Sequence, residues 1–220
     1  GSYKKSGQTA GTAIPFYGTE DLKIISTHTQ LIGSIQPEAF LLYESGNAYL
    51  KQWDYTKIGA QVYALSRSGK KYPGTIAKNG AITINDIPAS DQVYTAVIDV
   101  PGHLKAMKKF IPGYHDANGE LRGQFLRIGQ RSLAGDVNGD KMIDILDIQS
   151  VVDAYGTKDT SIVPQDLNQD GVVDETDVRL MEKNFLTKGP DAPVDKQPRE
   201  KIGKKGLEYF LRLIGLEQKQ

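Results

Sequence analysis

Apolar positions follow two different periods along the chain. Through residues 21–128 they come in short runs rich in β-branched and aromatic side chains, namely LKIIS, QLIGSI, AFLLY, AYLKQW, AQVYALS, GTIAK, AITIN, QVYTAVIDV and GQFLRI, separated by Gly, Pro, Asn and Asp. That rhythm predicts the strands of an all-β sandwich. Asn79 and Gly80, between GTIAK and AITIN, mark a hairpin because both tolerate positive φ, and Pro101-Gly102 marks another turn. Beyond Ala134 the period lengthens. Ile148, Val151 and Tyr155, and thirty residues later Val178, Met181 and Phe185, recur at i, i+3 and i+7, one face of a helix. A third helix is expected in KKGLEYFLRLIGL, where Leu207, Phe210, Leu211 and Ile214 form a stripe and Glu208 and Arg212 an i,i+4 pair on the other side. A helix so short is marginal alone, so it is expected to dock. The preceding KGPDAPVDKQPRE, with three prolines and mixed charge, reads as an exposed linker.

Composition bounds the class. With 220 residues, 39% of them hydrophobic and 25% charged, the chain is globular, and two modules fit its two textures. No run approaches the ~18–20 apolar residues of a membrane span. The opening Gly-Ser reads as a tag or leader over 1–19, as in a piece of a longer protein whose targeting signal lies upstream. Absence of cysteine excludes disulfides, thiolate metal sites and a cysteine nucleophile. His28, His103 and His115 are dispersed, and no catalytic set emerges, so an enzyme is not expected. The net charge of zero hides an acidic block: residues 134–187 hold ten Asp and two Glu against three Lys and one Arg, while 188–220 are net basic. Such a block calls for cations and argues against nucleic acid as its partner.

The block contains an internal repeat. DVNGDKMIDILD, residues 136–147, and DLNQDGVVDETD, residues 166–177, carry identical residues at five places. Calcium takes six to eight oxygens, and a twelve-residue loop supplies them from places one, three, five, seven (a backbone carbonyl), nine and twelve. The expected ligands are Asp136, Asn138, Asp140, the Met142 carbonyl, Asp144 and Asp147 in the first loop. In the second they are Asp166, Asn168, Asp170, the Val172 carbonyl, Asp174 and Asp177. Two Ca2+ ions are expected. Place six normally needs positive φ; Gly171 satisfies this, whereas Lys141 does so at a cost of roughly 1 kcal/mol. Ile143 and Val173 sit where the two loops are expected to join through a short β-bridge.

Neither RSLAG nor TSIVPQ offers an entering helix, so the unit is loop-then-helix, an F-hand, with Asp at place twelve. In this it resembles the dockerin family over about 134–188. The resemblance implies a secreted or surface-attached extracellular bacterial protein of cellulosome type, concerned with polysaccharide degradation, that binds a cohesin partner. It further implies contacts at Ile145, Leu146, Val152 and Asp153 of the first repeat and at Glu175, Thr176, Glu182 and Lys183 of the second. Because Ile-Leu and Glu-Thr differ, one binding orientation is expected, centred on the first pair, although Ile145 and Leu146 also suit the module's interior. Residues 59–105 resemble a transthyretin-like or carboxypeptidase-regulatory β-sandwich, and a sandwich directly before a dockerin resembles an X-module bracing it. The expected organisation is a leader over 1–19, a sandwich over 20–131, a dockerin over 132–188, and a linker with a C-terminal helix over 189–220. Two alternatives stand beside attachment. One is a calcium-stabilised structural tail, as at the end of secreted subtilisin-like peptidases. The other is carbohydrate binding by Tyr43, Tyr49, Trp53 and Tyr55 of the sandwich.

Overall fold

The computed structural model describes residues 27–158 and 161–219. The expected strand LKIIS and the leader lie outside the described residues. Two four-stranded sheets face each other. Their strands are β1 (His28–Ser34), β2 (Gln61–Leu65), β3 (Lys71–Pro73), β4 (Thr75–Ile76), β5 (Ala81–Pro88), β6 (Tyr94–Asp99), β7 (Ala106–Phe110) and β8 (Phe125–Ile128). One sheet runs β8-β1-β5-β4 and the other β7-β6-β2-β3. All neighbours are antiparallel except β1 and β8, which are parallel in the register Gln30 to Phe125. Alternation explains the layers: Val62 and Ala64 of β2, Ile82 and Ile84 of β5, and Ala96 and Ile98 of β6 point inward and are buried, as period-two strands require. The described chain is mostly β with three α-helices, and the sandwich read from the sequence is present.

The hairpin at GTIAK-NG-AITIN forms, but only Gly80 takes positive φ, +83°, and the turn closes from Gly80 N–H to the Ala77 carbonyl at 2.8 Å. The positive φ favours glycine there, and a Cβ would also press on the end of the Leu50 side chain. HDANGE is likewise a turn, between Tyr114–His115 and Leu121–Arg122, with Asp116 accepting the Asn118 and Glu120 N–H groups.

The acidic block follows without a flexible joint. Arg131–Ser132 pairs with Gln36–Pro37, and Ala134–Asp136 pairs with Gly102–His103 beside the Pro101-Gly102 turn. Each loop then feeds a helix, α1 (Ile145–Ala154) and α2 (Glu175–Lys183). The two loops do not join each other. Met142–Ile143 pairs with Thr187–Lys188, which follows α2, while Val172 bridges to Lys158, which follows α1. The pairing is reciprocal, because residues 157–158 and 187–188 are equivalent in the thirty-residue repeat. Each loop is therefore closed by the exit of the other helix.

The last helix, α3 (Leu207–Leu213), docks as its stripe predicts: Leu207, Phe210 and Leu211 are buried, and α3 packs on α1. The segment before it is not a loose linker. It runs back along the first loop, and the bonds that hold it there belong to the candidate site.

Candidate metal centre

Three bonds recur at matching places of the two loops, although Asp166 Oδ1 also accepts the Asp170 N–H at 3.2 Å where Asp136 Oδ1 accepts none. The place-one carboxylate accepts the N–H of place six, from Lys141 to Asp136 Oδ2 at 3.0 Å and from Gly171 to Asp166 Oδ2 at 2.8 Å. The place-three amide oxygen accepts from place five, at 2.8 Å in Asn138 and 3.0 Å in Asn168. The place-five carboxylate accepts from place seven, at 3.0 Å in Asp140 and 3.1 Å in Asp170. These side chains fold the backbone into consecutive Asx turns around a centre, a use to which short polar side chains are suited. Places four and six are left-handed in both loops, at Gly139 and Lys141 (φ +73° each) and at Gln169 (+52°) and Gly171 (+95°). Lys141 thus adopts the strained conformation expected of it.

Places nine and twelve have a second occupation. Asp144 and Asp174 are the N-caps of α1 and α2, and Asp147 and Asp177 are their third residues. Each pair forms a capping box: Leu146 N–H to Asp144 Oδ1 at 2.8 Å and Asp144 N–H to Asp147 Oδ2 at 2.9 Å, with 2.7 and 2.9 Å for the matching bonds of Asp174 and Asp177. The other oxygen of each place-twelve carboxylate takes loop N–H groups, Val137 and Asn138 on Asp147, Leu167 and Asn168 on Asp177. Helix capping alone accounts for places nine and twelve. It does not account for places one, three and five.

Electrostatics set these aspartates apart. Burial, partly offset by backbone N–H donors and reinforced by neighbouring aspartates, pushes Asp136 up to about 6, Asp147 to about 7 and Asp177 to about 6; burial raises Asp166 too. Asp136 is 6% exposed, and its Oδ1 is buried without a hydrogen-bond partner. A buried, orphaned carboxylate oxygen is costly unless a cation or donor meets it. The donor set per loop is all oxygen, from four carboxylates, one side-chain amide and one backbone carbonyl, and this chemistry fits a hard divalent cation. Among the described residues no three His, Asp or Glu side chains form a ready-made metal cluster. The place-twelve carboxylates are turned onto backbone N–H groups, so the loops have the ligands in order along the chain and the turns that gather them.

The residues implicated in partner contact do not share one surface. Ile145 is fully buried and Val152 nearly so, both in the hydrophobic core, which places the first pair's apolar anchor inside the module. Leu146 is half-buried, and Asp153, Glu175 and Thr176 are exposed. Glu182 accepts Arg179 and the Lys219 N–H. Lys183 donates to Glu38 of the sandwich.

Glu38, which no sequence pattern singles out, is a buried bolt between the modules. It accepts Lys183, Asn184 and the Ala134 N–H, and despite burial these donors hold its carboxyl below the usual carboxylate range. Next to it, buried His103 accepts the Ala39 N–H at Nε2 and donates Nδ1–H to the Pro101 carbonyl, which fixes a neutral imidazole with its pKa lowered by burial to about 4. Of the four sandwich aromatics, Tyr55 is buried and Trp53 stacks on Phe40. Tyr43 and Tyr49 are exposed, but they stand opposite Ala48 and Leu42 at adjacent positions of their hairpin and so on opposite faces. The four make no exposed row.

No protein-family model and no curated protein matches the sequence. Among solved structures, the chain is similar to one chain of a type II cohesin–X-dockerin complex, an N-terminal interface mutant, from Acetivibrio cellulolyticus. The TM-score is 0.52 and the identity 23%, over 74% of this chain and 99% of that one. This is a likeness of fold. Weaker similarities are to a putative carbohydrate binding protein from Bacteroides uniformis (TM-score 0.30, 13% identity, 48% of this chain and 41% of that one) and to a DUF3823 family protein from Parabacteroides merdae (TM-score 0.29, 8% identity, 49% and 46%).

Proposed function

We propose that this chain is a non-catalytic, calcium-dependent attachment module of dockerin type, braced by its β-sandwich, that plugs an extracellular protein into a cohesin-type partner. One observation carries the reading. Two loops share the same ligand order and the same turn-forming bonds to places one, three and five, and the first holds a buried carboxylate oxygen with no partner. Bound cations would meet that oxygen and neutralise four carboxylates gathered in each short loop. Asp136, Asn138, Asp140, the Met142 carbonyl, Asp144 and Asp147 would hold one Ca2+, and Asp166, Asn168, Asp170, the Val172 carbonyl, Asp174 and Asp177 the other. Extracellular calcium is abundant enough to fill even weak loops of this kind, with dissociation constants of roughly 10⁻⁴–10⁻³ M.

With Ile145 and Val152 inside, the accessible members of the contact set carry docking: Leu146 and Asp153 on α1, Glu175 and Thr176 on α2. A titration with a type II cohesin in calcium and in excess EGTA tests this. Binding is expected in calcium alone, and Glu175→Lys with Thr176→Lys is expected to weaken it by about 30-fold, the scale of one interface anchor. Full calcium loading with no binding to any cohesin would instead favour the structural reading, in which calcium stabilises the end of a secreted enzyme. The dispersed aromatics give the carbohydrate reading no support.

A further inference from the structure

The two loops are alike inside and unlike outside. Gly189 N–H donates to the Lys141 carbonyl at 2.8 Å, and Lys141 Nζ reaches the Asp191 carbonyl at 3.3 Å and its Oδ2 at 3.4 Å. Further on, Arg199 N–H donates to Asp144 Oδ2 at 2.8 Å, and the Arg199 carbonyl accepts the Ile145 N–H at 3.0 Å. The chain then enters α3, whose buried face lies on α1. Places six, nine and ten of the first loop are thus all held by one strap, residues 189–199, anchored by α3. Among the described residues the second-loop counterparts of the last two, Asp174 and Glu175, receive no such backbone partner, and both are less buried than Asp144 and Ile145.

We infer that the C-terminal strap, residues 189–199, is a clamp for the first loop, so that docking of the strap and cation binding at that loop strengthen each other, whereas the chain end meets the second repeat only on its helix, at Glu175, Arg179 and Glu182, and leaves the second loop's backbone unclamped. This rests on the calcium reading above. The strap falls on the first loop's own strained residue: its place six is Lys141, a side-chain-bearing residue at φ +73°, whereas the second loop has Gly171 there and carries its side-chain-bearing left-handed residue at place four, Gln169, away from the strap. Arg199 further fixes the second oxygen of the place-nine carboxylate, orienting Asp144, while the Gly189 bond holds the strained turn closed. Arg199 is a positioning residue; it contributes no ligand atom.

The test reads each loop alone in the full chain. Asp170→Ala disables the second loop and Asp140→Ala the first, and Ca2+ binding to each is followed by calorimetry with and without Arg199→Pro, which deletes the N–H on Asp144, with Arg199→Ala as the control for the lost side chain. The first loop is expected to lose about tenfold in affinity and the second less than twofold, within the usual range of coupling between sites. Coupling is reciprocal, so amide exchange needs no change in the tail: calcium is expected to slow exchange over residues 207–214 in Asp170→Ala and not in Asp140→Ala. Equal affinities with and without Arg199→Pro, or calcium-independent exchange in the tail of Asp170→Ala, would overturn the clamp and leave the calcium reading intact. No calcium binding to either loop of the unaltered chain would overturn the reading beneath it.

Discussion

The first and second repeats carry the same loop chemistry but are held by different parts of the molecule. α1 is covered by the tail: Ile145 lies under Arg199, and α3 packs along the helix. α2 is bolted to the sandwich: Lys183 and Asn184 meet Glu38, and Lys51 Nζ reaches the Asn168 and Gln169 carbonyls of the second loop at 3.4 and 3.3 Å. The equivalents of Lys183 and Asn184 in the first repeat are Asp153, which is exposed, and Ala154. Duplication with retention constrains what the loop itself must do, and leaves the outer faces free to diverge toward whatever packs on them. Five identities at ligand places therefore coexist with unrelated helix surfaces.

Breaking the first repeat's cover should have the largest effect. Phe210→Ala and Leu211→Ala each remove a buried side chain from the α3 contact and are expected to cost about 2–5 kcal/mol by denaturant unfolding, with amides of α1 losing protection before those of the sandwich. A change confined to the tail would mean that α3 does not support α1. Next, Glu38→Ala removes the second repeat's bolt and leaves the Ala134 N–H without its acceptor and Asn184 Nδ2 with only the Ala134 carbonyl. A loss of about 3 kcal/mol is expected, with protection falling first in α2.

The same bolt gives a pH dependence from the sandwich side. His103 has a folded-state value of about 4 against 6.5 unfolded, so between these the unfolded chain binds the extra proton. Stability is then full above pH ~6.5 and falls as pH drops toward 4, by about 3 kcal/mol for this group. The molecular cause is that a proton on Nε2 would face the Ala39 N–H it now accepts. His103→Gln, compared with the unaltered chain from pH 7 to 4.5, is expected to flatten that part of the profile; an equally steep fall would assign it to other groups. The smallest effects should have opposite signs in the two loops. Lys141→Gly relieves a positive φ and is expected to stabilise by up to about 1 kcal/mol, whereas Gly171→Ala introduces one and should destabilise by a similar amount. Thermal melts of both in saturating calcium check this.

Much of this was legible because the signals are local. The β-rich runs AQVYALS and AITIN are the strands that bury Val62, Ala64, Ile82 and Ile84, the i, i+3, i+7 pattern named Ile148, Val151, Val178 and Met181, and the α3 stripe named Phe210 and Leu211. Loop places are local too, so the left-handed Lys141 followed from spacing. What could not be read was long-range. Ile143 and Val173 look suited to pair with each other, but each loop pairs with the exit of the opposite helix, a choice made by the packing of α1 on α2. Ile145 reads equally as anchor or core, and the strap decides for core. The proline-rich segment before α3 carries the composition of a linker, yet its backbone groups bond to the first loop, and composition says nothing about where a backbone N–H finds its acceptor.

The central claim is that two oxygen-lined loops bind calcium and that this binding holds the acidic module together. Calorimetric titration of Ca2+ into the chelator-stripped full chain, paired with thermal melts in excess EGTA and in calcium, tests it most directly. Two binding events are expected, one lost on Asp136→Ala and the other on Asp166→Ala, with calcium stabilising the fold by about 4 kcal/mol per site at a thousandfold excess over Kd. No binding heat, together with identical melting in EGTA and in calcium, would contradict it.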